Sequence, residues 1–319
     1  MHWFDEHHSE FRGFSLHYHD TVRPGLLERD AERAAANRKG MRIGAAIVVV
    51  GVAIFIASFF TPLETVFGFF AVAASAMGAF AAWYWATDAI RKSTKNTLMQ
   101  SVVGYIGWRF ESHVASFDMR PYKDNFLLPA KHDRHSFEDS FSGDVHGARF
   151  DSVEAHLEKE TRDSDGDTKY ETVFRGQLMR IDFPTRTFGR TVVLRDKGWF
   201  NARTKADMKR VGLASPKFEK LFEAYGTDQV EARVILDPAF MQRMIDLETA
   251  VSGKNIRFAF CDNDLLIAVE TPNQFEAGSM RQSLDNPGAV QKILDEVGTL
   301  YDIVDGLVQP ATRATSQAR

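Results

Sequence analysis

The chain has 319 residues, with 43 acidic against 39 basic side chains and a formal net charge of −4. That balance excludes a general nucleic-acid binder, which carries a basic domain or stripe. A single cysteine, Cys261, excludes an intramolecular disulfide and fits a reducing compartment.

The first 40 residues are polar and hold five of the ten histidines: His2, His7, His8, His17 and His19. Histidine-rich tracts can chelate metals. This spacing fits no closed site, and residues 1–40 read as an amphipathic or disordered cytoplasmic arm. Asp30–Arg38 is a good helix former that leads toward the next segment.

Two uncharged apolar runs follow, within residues 41–87. Ile43–Phe60 is IGAAIVVVGVAIFIASFF and Thr65–Thr87 is TVFGFFAVAASAMGAFAAWYWAT. A bilayer core of about 30 Å needs about twenty apolar residues. The second run meets this, and the first does so with Met41 and Thr61. A signal peptide would begin nearer residue 1 and would not precede a second span. Thr61, Pro62, Leu63 and Glu64 leave room only for a tight turn, so the pair is expected to form a transmembrane helical hairpin. Arg33, Arg38, Lys39 and Arg42 precede it, and Arg91, Lys92 and Lys95 follow. Positive residues stay inside, which places both termini on the cytoplasmic side. Trp83, Tyr84 and Trp85 suit the interfacial belt. Small residues recur at Ala71, Ser75 and Ala79, and at Ala74, Gly78 and Ala82. These two stripes are the expected helix-packing positions, within the hairpin or against a second copy. Neither run contains an ionisable residue, so neither offers a proton relay or ion site.

Residues 88–130 read as a helical linker, with Leu98, Val102, Tyr105, Ile106 and Arg109 at helical spacing. Asp118–Gly147 reads as loops. It contains His132, Asp133 and His135, weak candidates for metal ligation, with His146 further on. The known zinc motif sets two histidines on one helix face around a glutamate, which this run does not reproduce. Phe150–Glu160 and Glu171–Phe183 alternate as strands around an acidic turn. Asp163, Asp165 and Asp167 there lack the glycine and glutamate positions of a calcium loop. Thr191–Asp196 reads as a strand, and Gln229–Leu236 as another. Asp228, Glu231 and Arg233 are expected to form an ion-pair network beside it. Asp237-Pro238 opens a helix, and Ile256–Phe260 with Leu265–Glu270 forms a hairpin. Pro287–Val308 is a long helix whose stripe includes Val290, Ile293, Leu294, Val297, Leu300, Tyr301, Val304 and Leu307. Its near-heptad spacing leaves self-association open. Residues 309–319 read as a disordered tail. Short adjacent strands with later helices predict an α+β soluble domain over 131–308, its sheet mostly antiparallel.

FRGQLMRIDFPTRTFGRTVV (174–193), PKFEKLFEAYGTDQVEARVILDPAFMQRMIDLE (216–248) and IRFAFCDNDLLIAVE (256–270) resemble bacterial proteins grouped as domain-of-unknown-function family 3137. Thr227–Arg233 (TDQVEAR), with Leu236 and Pro238, carries most of the likeness, which extends over about residues 95–307. The resemblance implies a bacterial inner-membrane location and brings no activity, cofactor or catalytic residue.

No catalytic constellation stands out, and no glycine-rich phosphate loop follows a strand, so no cofactor is expected. The expected function is a membrane-anchored binding or scaffolding module whose partners are the bilayer and another membrane or cytoplasmic protein. The alternatives are a metal-assisted hydrolase using His132, Asp133 and His135, or an accessory subunit docking through the Ala71 or Ala74 stripe.

Overall fold

The computed structural model describes residues 4–60, 65–162, 166–183, 188–195, 207–250, 255–271 and 285–316. The Thr61–Glu64 turn and the tip residues Asp163 and Asp165 lie outside the described residues. The chain divides into two compact units, Met1–Tyr105 with Glu276–Leu294, and Ile106–Phe275 with Asp295–Arg319.

The first unit contains a short helix α1 (Phe14–His17) and two long ones, α2 (Arg23–Ser58) and α3 (Thr65–Tyr105). Each long helix contains a stretch long and apolar enough to cross a membrane. Where they pack, the facing residues are small. Gly44, Gly51 and Ser58 of α2 are buried and meet Ala79, Ser75 and Gly68 of α3. A methyl group at Gly51 would overlap the Ser75 hydroxyl, so the missing side chain sets the helix separation. The hydroxyls of Ser58 and Ser75 donate to their own helices, at Phe55 O (2.6 Å) and Val72 O (2.8 Å). The Trp83 indole donates to Asn37 Oδ1 at 2.7 Å.

The N-terminal arm is ordered. A π-helical turn, Tyr18–Val22, joins α1 to α2, and Phe4, Phe11, Phe14, Tyr18 and Val22 are buried. Phe14 meets the Tyr105 ring edge-on at 5.3 Å, and the Tyr105 hydroxyl donates to Arg12 O. Asp285 accepts from Tyr18 Oη (2.7 Å) and Arg23 Nε (2.9 Å), while Gln291 exchanges two hydrogen bonds with the Asp5 backbone. Aromatic residues between the histidines drive this order: the composition looks polar, but four bulky rings have a core to enter.

The second unit is built on one antiparallel sheet. Its strands are β1 (Arg109–His113), β2 (Arg134–Val145), β3 (Ala148–Arg162), β4 (Thr168–Asp182) and β5 (Phe188–Arg195), then β6 (Lys209–Arg210), β7 (Phe222–Gly226), β8 (Arg257–Asp262) and β9 (Asp264–Glu270). They lie in the order β1-β2-β3-β4-β9-β8-β5-β7-β6. The helices are α4 (Arg120–Asp124), α5 (Pro216–Glu219), α6 (Gln229–Ile235), α7 (Pro238–Ala250) and α8 (Pro287–Ser316).

Register puts Val153, Leu178 and Leu266 on one face, in a core closed by Tyr122, Leu127 and Leu128. On the other face Phe260 meets Phe240 of α7 at 5.6 Å. Phe150 meets Trp108 at 4.4 Å, and Trp108 stacks on Tyr301 of α8 at 5.6 Å. With both faces covered, central strands can be apolar almost throughout, as in Leu265–Val269.

The strand pairs expected around residues 163–167 and 262–264 are present as β3–β4 and β8–β9. Three expectations are corrected. The helical reading through Ile106 and Arg109 fails, since α3 ends at Tyr105 and Arg109 opens strand β1, paired with β2. The histidine-containing run expected as a loop is strand β2, whose bulge between Glu138 and Phe141 puts Phe137 and Phe141 on opposite faces and breaks the period-2 pattern. The expected strand Gln229–Leu236 is helix α6. Asp228 caps it, accepting from Val230 N (2.7 Å) and Glu231 N (3.0 Å), and Ala232 and Ile235 are its buried side. Helix α8 also continues past Val308, to Ser316.

Candidate functional site

The helix pair of the first unit has an inverted surface. Its facing residues are glycine, serine and alanine, while its outward side chains are large and apolar: Val49 is 67% exposed, Met77 74% and Phe60 85%. Among the expected packing positions, Ala79 and Ser75 face Gly44 and Gly51, and the Ala71 carbonyl also approaches Gly51. A Cβ at Gly78 would meet only Ile47 within 4 Å, Ala82 is half-buried and Ala74 is exposed.

In the second unit, α7 and the C-terminal half of α8 border a groove of about 340 Å³. Helix α7 contributes Arg243, Asp246 and Leu247; the floor is completed by Ile303 and Leu307 of α8. Gly306 faces the same space, and a Cβ there would meet nothing within 4 Å. Among the described residues, the buried Nη1 of Arg243 has no hydrogen-bond partner. A buried guanidinium N–H left unsatisfied is costly. Asp246 accepts one bond from Gln242 Nε2 at 2.8 Å, which leaves its carboxylate capacity for more. The Thr299 hydroxyl, also on the rim, donates to Asp295 O at 2.7 Å. The described lining holds no histidine, cysteine or serine. The arrangement can hold a molecule with an apolar body and a charged head.

A second hollow, about 580 Å³, lies on β1–β3, where Arg109 and Arg149 alternate with Asp144 and Asp151 on an exposed strand face. Charges of both signs there compensate one another.

The His132 and His135 rings meet edge-on at 5.5 Å, and His135 also packs on Phe137. Burial, reinforced by the Lys123 and His135 charges, holds the His132 pKa below its usual value. Asp133 is used structurally: its carboxylate accepts from Glu160 N at 2.7 Å, and its own N–H donates to Glu158 O at 2.8 Å. Among the described residues these three do not converge three ligand atoms on one point. Glu231 accepts from Gly189 N at 2.8 Å and Arg233 donates to Gly212 O at 3.3 Å. With Asp228 they tie backbone segments together in place of the expected charge network. Burial, with Asp262 and Asp264 nearby, pushes the Cys261 thiol up to about 11.

The groove was not apparent from the sequence. Its one trace is Ile303, an apolar residue outside the α8 stripe, beside Gly306.

Residues 172–308 match the family model described as "Protein of unknown function (DUF3137)", the family whose runs this sequence resembles. Among curated proteins nothing matches. Among solved structures, the crystal structure of the mycobacterial trehalose monomycolate transport factor A, TtfA, is similar at 12% identity and a TM-score of 0.33. The match covers 66% of this chain and 95% of that one. A likeness of that size says nothing about activity.

Proposed function

We propose that this protein is a membrane-anchored binding module. Residues 43–60 and 65–87 cross the bilayer as a helical hairpin, and basic flanks keep both termini on the cytoplasmic side of a bacterial inner membrane. The sheet unit holds a ligand or partner there without transforming it.

The observation that carries the anchor is the inverted surface of α2 and α3. A helix pair folded in water buries its valines and phenylalanines. Here glycine and serine are inside while Val49, Met77 and Phe60 face out. That is a cost in water and none in hydrocarbon, where association relies on close packing of small residues. The sixteen helical residues Ile43–Ser58 span about 24 Å at 1.5 Å each, and the helix continues before them toward the hydrocarbon thickness of about 30 Å. A binding role rests on the groove between α7 and α8, whose described lining joins an apolar floor to one guanidinium and two carboxylates.

The test is alkaline carbonate extraction of vesicles containing the full chain, followed by protease on sealed, inside-in vesicles. The protein should stay in the pellet with both termini protected. Release into the supernatant would remove the anchor, and cleavage at either terminus would remove the proposed orientation.

A further inference from the structure

On strands β1, β2 and β3 we infer a site for a polyol phosphate, in the hollow of about 580 Å³ beside the β2–β3 turn. The inference goes beyond the binding reading above and depends on neither the α7–α8 groove nor the anchor. Strand register, unanswered donors and a lining without an apolar floor carry it together.

Alternation turns Phe110, Phe141 and Phe150 to one face of these strands, where all three are buried. It leaves Arg109, Ser142, Asp144, Arg149 and Asp151 on the other, lining the hollow. Arg109 lies opposite Ser142, Ser142 opposite Asp151, and Asp144 opposite Arg149. The two arginines therefore flank β2 from either side. At about 4.8 Å between strands and about 3.4 Å per residue, their Cα atoms are about 12 Å apart. Two extended arginines can meet one ion over β2 across that distance.

Both arginines are exposed, and among the described residues neither guanidinium makes a hydrogen bond or an ion pair. The carboxylates of the hollow are engaged elsewhere. Asp144 accepts from Gly147 N in the β2–β3 turn at 2.8 Å. Asp151 lies opposite Arg180 of β4, whose charge it shares with Asp264. The formal charges of the lining thus cancel at a distance, while two forks of N–H donors stay open. A phosphate monoester fits them, since guanidinium gives phosphate oxygens charge-assisted, bidentate bonds.

The rest of the ligand must sit beside Asp144 and Asp151. Hydroxyl groups suit that place, because a carboxylate oxygen accepts from them and Ser142 adds a hydroxyl that donates or accepts. An alkyl chain finds no floor, as Phe150 is turned to the other face. A nucleobase finds no exposed ring in the described lining on which to stack.

The experiment is isothermal titration calorimetry of the full-length chain in maltoside detergent with glucose 6-phosphate, ethyl phosphate (the phosphate without hydroxyls) and glucose. Glucose 6-phosphate should bind tightest, ethyl phosphate more weakly, and glucose not measurably. Arg109→Gln and Arg149→Gln should each weaken glucose 6-phosphate at least about tenfold, the factor that 1.4 kcal/mol represents. Asp151→Asn should narrow the gap between the two phosphates. These side chains are exposed, so the variants should unfold with the parent, which thermal denaturation verifies. Arg120→Gln, at an exposed arginine outside the hollow, should change nothing. Equal affinity for the two phosphates, no heat with either, or binding indifferent to both arginine substitutions overturns the inference. A phosphatidylglycerol headgroup carries the same phosphate and hydroxyls. Titration in phosphatidylcholine nanodiscs with and without phosphatidylglycerol separates the sources: a lower glucose 6-phosphate affinity with it assigns the site to the headgroup, and an equal one to a soluble ligand. Carbonate extraction reports the anchor independently, so either reading can fail while the other stands.

Discussion

The apolar stretch of the helix pair and the sheet unit bury opposite kinds of residue. In the sheet unit the interior is Phe141, Phe150, Phe174, Phe258 and Leu178, and charges line the outer strand faces. In the helix pair the interior is Gly44, Gly51 and Ser58, and the outside is valine, isoleucine and phenylalanine. On the proposed reading of a membrane anchor, the difference lies in the solvent each part meets. Water drives large apolar side chains inward. Hydrocarbon is indifferent to them, which leaves close backbone approach to decide what sits at the helix interface.

Five substitutions break or sharpen that contrast. Phe258→Ala, at a fully buried site, should cost about 3–5 kcal/mol of sheet-unit stability, read by denaturant unfolding. The same change at Phe80, 65% exposed on α3, should leave that transition unmoved; equal losses would mean that α3 faces a protein core.

Val50→Lys comes next. In hydrocarbon a charge near mid-helix costs about 2.5–3.5 kcal/mol, so the carbonate-resistant fraction should fall. In water an exposed valine could be changed within about 0.5 kcal/mol, and an unchanged fraction would favour that solvent.

Gly51→Leu should cost about 1–3 kcal/mol through overpacking against Ser75. Its readout is loss of a Gly44→Cys to Ala79→Cys crosslink, a pair whose side chains lie close enough to bridge in the parent. Asp237→Ala removes the carboxylate that accepts from Phe240 N at 2.8 Å at the start of α7. It should cost about 1 kcal/mol, measured as a small drop in the sheet-unit midpoint while the helix pair is unaffected.

Much of this contrast was visible in the sequence because length and charge are one-dimensional properties. The runs at 43–60 and 65–87 need no knowledge of neighbours to be noticed. Strands β3, β4, β8 and β9 were legible for a related reason: alternation and turn residues such as Gly166 and Asn263 are local signals. What stayed hidden was set by register or by tertiary packing. The bulge at Asp139 disguised β2. In α6, Val230 and Val234 alternate with charged residues like a strand, yet they lie one helical turn apart on the exposed side. The arm looked polar because its histidines outnumber the rings that order it. The groove depends on how α7 and α8 sit beside one another, so only Ile303, off the main stripe, pointed toward it.

The central claim is that exposed apolar residues of α2 meet lipid while equally exposed ones of the sheet unit meet water. Val49 and Val234 allow a matched test, at 67% and 62% exposure. Each is replaced by cysteine, and permeabilised but undissolved membranes are treated at neutral pH with a charged maleimide. The native Cys261 gives a slow background, since its thiol is pushed up to about 11 and little thiolate exists below that pH. The account predicts rapid labelling of Val234→Cys and none of Val49→Cys above background. Equal labelling of the two would contradict it.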